Sequence, residues 1–84
     1  MSDAPAATAE AVLDYLVKSV VDDPDAVQIE VTEGGRRLRF DVRVGDGDMG
    51  RVIGKRGRVA SAIRTVVRAA AAVDDQEVDI EFVD

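Results

Sequence analysis

Met49-Gly50-Arg51-Val52-Ile53-Gly54-Lys55-Arg56-Gly57-Arg58 is the stretch on which the reading of this chain turns. Asp48 is placed to cap a short helical turn through Met49–Ile53, which Gly54-Lys55-Arg56-Gly57 then interrupts. Beyond it, Val59, Ala62, Ile63, Val66, Val67 and Ala70 recur at helical spacing, with Arg58, Ser61, Arg64, Thr65 and Arg68 on the opposite side. The spacing predicts a second helix from Arg58 through the alanine tract Ala69–Ala72, ending at Asp74-Asp75. A loop between two helices presents the unpaired backbone N–H groups of the second helix's first turn, and those groups, with the helix dipole, favour an anion. Gly54 and Gly57 have no Cβ, so another chain can approach the backbone closely. Lys55 and Arg56 place two cations at the tip, Arg51 and Arg58 flank it, and Val52 and Ile53 are predicted to line an apolar groove beside it. Arg64 lies about two helical turns further on, at the limit of the groove's reach. The plainer alternative is that Gly54 ends one helix and Gly57 starts the next, with charge between them because loops are solvated.

Upstream, Ala9, Val12, Leu13, Leu16, Val17 and Val20 form the stripe of an amphipathic helix, with Thr8 as its expected N-cap. Pro24 disfavours helical geometry at Asp23 and closes it. Val27, Ile29 and Val31 alternate with polar residues, then Gly34-Gly35, then Leu38, Phe40, Val42 and Val44 alternate with Arg37, Arg39, Asp41 and Arg43. This predicts a hairpin with Gly34-Gly35 as its turn. In that register Val31 faces Leu38, Ile29 faces Phe40, Thr32 faces Arg37 and Glu30 faces Arg39. Val78, Ile80 and Phe82 alternate with Glu77, Asp79 and Glu81 in a last strand. The basic strand 36–44 sits best between the two acidic ones, with Arg37, Arg39 and Arg43 neutralising Glu30, Asp79 and Glu81.

The expected fold is therefore α+β, a two-layer sandwich in the order α-β-β-α-α-β. A three-stranded mixed sheet carries three helices on one face. Residues 1–7 are expected to be flexible, and 8–84 to form one domain.

Composition narrows the function. The chain has 84 residues, 46% hydrophobic and 33% charged, as a globular domain does. It has no Cys and no His, which excludes thiolate nucleophiles, Cys-based zinc sites and the commonest general base. No cofactor and no metal site is expected. Asp46 and Asp48 supply too few oxygens for a hard-cation loop. Gly45-Asp46-Gly47-Asp48-Met49-Gly50 fits G-x-G-x-x-G, yet its helix is too short and its aspartates would repel a pyrophosphate. There is no apolar run of bilayer length and no secretory signal over residues 1–9, so the expected location is cytoplasmic, without a membrane or small-molecule substrate. The net charge of −6 hides a segregation. Residues 1–35 hold eight acids and one base, residues 36–68 ten bases and three acids, and residues 69–84 six acids and no base. A basic middle in an acidic chain can still hold phosphates locally.

A strand, a short helix ending in Val52-Ile53-Gly54, two residues and Gly57, then a second amphipathic helix, resembles the KH domain. The extra helix and strand come first, as in the type II, bacterial-style arrangement, and the length and full coverage resemble the small bacterial KhpA family. The resemblance implies non-catalytic binding of single-stranded RNA by a GXXG loop formed by Gly54, Lys55, Arg56 and Gly57. It also implies a homodimer, or a heterodimer with a second KH-containing protein, and a broad RNA-chaperone role linked to cell shape and cell-wall control. A different class of function also fits the sequence: a KH-shaped protein–protein interaction module whose loop does not bind RNA, which the −6 charge favours.

Overall fold

A hairpin and a long helix fix the frame. The computed structural model describes residues 7–35 and 37–83, without the side chains of Ala7 and Lys55. The segment expected to be flexible, 1–7, falls outside the described residues except for Ala7, and so does Arg36.

Helix α1 spans Ala7–Val20 and buries Ala9, Leu13 and Val17, one residue per turn along the predicted stripe. It begins at Ala7, so Thr8 stands inside its first turn rather than capping it. After it, Pro24–Ala26 forms a 3-10 turn that the sequence did not predict. Proline suits the start of a helical turn, where its missing N–H has no partner to lose.

Strands β1 (Gln28–Gly34) and β2 (Arg37–Arg43) pair antiparallel, and β2 pairs parallel with β3 (Glu77–Phe82), so β2 is central as its charge required. The hairpin register differs from the expected one by two residues. Val31 faces Phe40, Ile29 faces Val42, Glu30 faces Asp41, and Gly34 is the last paired residue, opposite Arg37. The turn starts at Gly35, whose φ of 65° is the left-handed value glycine adopts freely. A slip of two residues leaves every side chain on its original face, so the alternation could not distinguish the two registers.

The shift also re-sorts the charges on the open face of the sheet. Arg37 Nη1 lies 2.7 Å from Asp79 Oδ2, and Arg37 Nη2 lies 3.6 Å from Glu77 Oε1. The hydrogen bond to Asp79 and the charges of Asp79 and Glu77 hold the Arg37 guanidinium above its ordinary pKa. Arg39, expected opposite Glu30, instead pairs along its own strand with Asp41 at 3.0 Å.

Helix α2 runs Met49–Val73, and the interruption expected at Gly54–Gly57 narrows to two left-handed residues, Arg56 (φ 61°) and Gly57 (φ 82°). The two helices expected before and after the loop are thus the two parts of α2, and with α1 they give the α-β-β-α-α-β order. Val52, Ile63, Val67 and Ala71 of α2 meet Leu13 and Val17 of α1, Leu38, Phe40 and Val42 of β2, and Val78 and Ile80 of β3 in one core. The helices therefore cover one face of the sheet, the two-layer α+β sandwich that the patterning predicts. The buried stripe of α2 includes Ala60, Ile63, Val67 and Ala71, while Val66, predicted inside, is 47% exposed.

Candidate functional site

The start of α2 is fixed by Asp48. Its side chain makes no cap to its own helix. Its two oxygens instead accept the backbone N–H groups of Asp22 and Asp23, each at 3.1 Å, and the residue is 3% exposed. A buried carboxylate is tolerable where such donors compensate its lost hydration. This clamp joins the segment after α1 to the first turn of α2. Arg51 completes the node, with Nη2 2.9 Å from Asp22 Oδ2 and Nε 3.6 Å from Asp48 Oδ1. Sequence reasoning placed Asp48 as a cap and missed this role, because the partners lie 25 and 26 residues away.

The candidate residues around the loop separate in space. Val52 is fully buried and supports the loop from the core, so it offers no surface to a groove. Ile53 is 46% exposed and does. Arg56 and Arg58 are exposed. Lys55 lies in α2, and its side chain is outside the described residues. Arg51 is exposed but held by Asp22 and Asp48.

The glycines have different reasons to be glycine. At Gly57 the φ of 82° is the reason, since a Cβ there would meet nothing within 4 Å. At Gly54 the backbone has no positive φ, and a Cβ would touch Val59 Cγ2 at 3.7 Å, an ordinary contact. Among the described residues nothing requires glycine at position 54.

The cations separate as well. Lys18, Arg37, Arg39 and Arg51 each have a carboxylate partner. Arg56, Arg58, Arg64 and Arg68 have none among the described residues. All four lie on α2 from the left-handed bend onward. Arg64 and Arg68 reach to the edge strand β3, where Arg64 Nε donates to the Ile80 carbonyl at 3.2 Å and Arg68 Nε to the Val78 carbonyl at 3.5 Å. The signal for them was present in the sequence. Gly57, Ser61, Arg64 and Arg68 follow an i, i+4, i+7, i+11 course, one line down the helix from the loop.

The family described as KhpA/KhpB, KH domain, matches this chain over residues 10–82, which take in the bend, the sheet and most of α1. The chain belongs to this family. It is 44% identical to the RNA-binding protein KhpA of Clostridium acetobutylicum over 71 residues, which cover 84% of this chain and 95% of that protein. It is 42% identical to the RNA-binding protein KhpA of Borreliella burgdorferi over 72 residues, 86% of this chain and 88% of that one. With the protein of the same name from Chlamydia trachomatis the identity is 36% over 72 residues, 86% and 92% of the two chains. Among the described residues no cluster of three His, Cys, Asp or Glu could hold a metal ion, and no helix is long and apolar enough to cross a membrane.

Proposed function

We propose that this protein binds single-stranded RNA without catalysis, clamping the sugar-phosphate chain on the segment Gly54, Lys55, Arg56 and Gly57. Relatives named RNA-binding protein KhpA support this reading. The observation that carries it is the placement of Arg56, Arg58, Arg64 and Arg68, which have no carboxylate partner among the described residues and all lie on α2 from the bend onward. In a chain of net charge −6, cations left without carboxylates on one helix leave local positive charge that a nucleic-acid strand can meet. The same observation weighs against a protein-interaction module that has no use for RNA.

In this reading Gly54 lets the strand approach the backbone, Arg56 and Arg58 contact phosphates with Lys55, and Ile53 receives a base. Arg51 contributes less, because Asp22 and Asp48 already hold it. Contacts dominated by the backbone give broad specificity, as an RNA chaperone requires, and an affinity that falls with salt. Pairing with a second copy or another KH protein, implied by the family resemblance, belongs to the same proposal. It would raise the effective concentration of a weak single site, and sedimentation over a concentration range tests it.

The deciding experiment converts Lys55 and Arg56 together to Asp and measures filter binding to a mixed pool of single-stranded RNA. Binding is expected to be lost while thermal unfolding stays nearly unchanged, since Arg56 is exposed and neither residue is replaced by one that a bend disfavours. Retained binding would show that the loop is not the site.

A further inference from the structure

Arg64 is held in a way that phosphate contact alone does not require. Its Nε donates to the backbone carbonyl of Ile80 at 3.2 Å, and its guanidinium carbon lies 5.3 Å from the centre of the Phe82 ring. The side chain is half-buried, and no carboxylate pairs with it among the described residues. One nitrogen is thus fixed to the edge of β3 and one ring packs on the group, so its remaining freedom of rotation is small. A solvated arginine that only neutralises phosphate gains nothing from such anchoring, whereas a base-reading arginine needs it. With Nε occupied, the two terminal nitrogens form a paired donor edge.

For a strand clamped at the bend, that edge is within range. Arg64 is seven residues beyond Gly57, about 10 Å along the helix, within reach of the roughly four nucleotides such a loop clamps. On β3 the acids Glu77, Asp79 and Glu81 alternate with the core-facing Val78 and Ile80, so they project from the other face of the sheet.

We propose that Arg64 reads one base of the bound strand and selects a nucleobase with two neighbouring acceptors on one edge. This rests on the RNA-binding reading above. Guanine offers O6 and N7 to a paired arginine donor, and cytosine offers O2 and N3. Adenine and uracil present acceptor and donor side by side, so one contact of the pair is lost and a donor meets a donor. Arg64 thereby adds base preference to a clamp that otherwise binds through the backbone.

The test is fluorescence anisotropy with short oligouridines, unmodified or carrying one central cytosine, guanine or adenine, at fixed salt. The intact protein is expected to bind the cytosine or guanine oligonucleotide about fivefold more tightly than the adenine or uracil one, the low end for a bidentate base contact. Arg64→Lys keeps the charge but not the paired edge, and should bring that ratio to about one. Phe82→Leu, which removes the ring but keeps an apolar side chain, should reduce it in part. Thermal unfolding of each variant is followed alongside, because a purely structural role for Arg64 would shift the melting temperature and leave the ratio in place. A ratio near one in the intact protein, or a ratio that survives Arg64→Lys, overturns the proposal while leaving RNA binding itself standing. Failure of the intact protein to bind any oligonucleotide overturns the RNA-binding reading, and this inference with it.

Discussion

Asp48→Ala tests the physical account of the fold most directly. The carboxylate is 3% exposed and accepts two backbone N–H groups at 3.1 Å, from Asp22 and Asp23. Hydrogen bonds to a charged group contribute about 1.5–3 kcal/mol each, and a donor left without a partner costs its desolvation. Both bonds are part-buried, so water recovers some of that cost, and the net loss is about 2–3 kcal/mol. For a chain of this size, with a total stability of about 4–13 kcal/mol, that is a large share. It corresponds to a fall in melting temperature of roughly 10–20 °C. Asp48→Asn keeps one acceptor and turns a donor toward the other N–H, so its loss should be intermediate. The 3.6 Å contact with Arg51 is long and partly solvated, so Arg51→Ala should couple to Asp48→Ala by less than about 0.5 kcal/mol in a double-mutant cycle. Urea unfolding followed by circular dichroism measures all of these at constant slope. If Asp48→Ala unfolded within about 0.5 kcal/mol of the intact protein, the clamp would not be what holds α2 to the segment after α1.

The two loop glycines should respond in opposite directions. Gly57→Ala forces a Cβ into a φ of 82° and should cost roughly 1–2 kcal/mol in urea unfolding. Gly54→Ala, at a helical position with ordinary room, should leave stability equal or improve it by up to about 1 kcal/mol, yet weaken RNA binding in anisotropy titrations. Arg58→Ala should reduce the slope of log affinity against log salt by about 0.7, whereas Arg51→Ala should reduce it less because that charge is already paired. Equal effects would mean that the pair with Asp22 opens on binding.

Much of the architecture was legible because periodicity is local. The stripe through Leu13 and Val17, the alternation of Leu38, Phe40 and Val42, and the segregation of basic and acidic strands placed α1, the hairpin and the central β2. The bracketed cations between Gly54 and Gly57 marked the candidate site on the same terms. Val52 was misjudged as groove lining because alternate sides of a short helix cannot be assigned until its packing partner is known, and it proves to be fully buried. The pairing of Arg51 with Asp22 was not legible because the two are remote in sequence.

The sequence by itself determined the order of the helices and strands, the buried faces of α1 and the strands, and the charge carried by the bend, since each follows from residues within a few positions of one another. Only the tertiary structure decided the hairpin register, the clamp of Asp48 on Asp22 and Asp23, and the anchoring of Arg64 on Ile80 and Phe82. A register slip of two preserves the pattern. The other two depend on a carboxylate or a guanidinium meeting backbone atoms that every residue carries alike, so no spacing of side chains announces them.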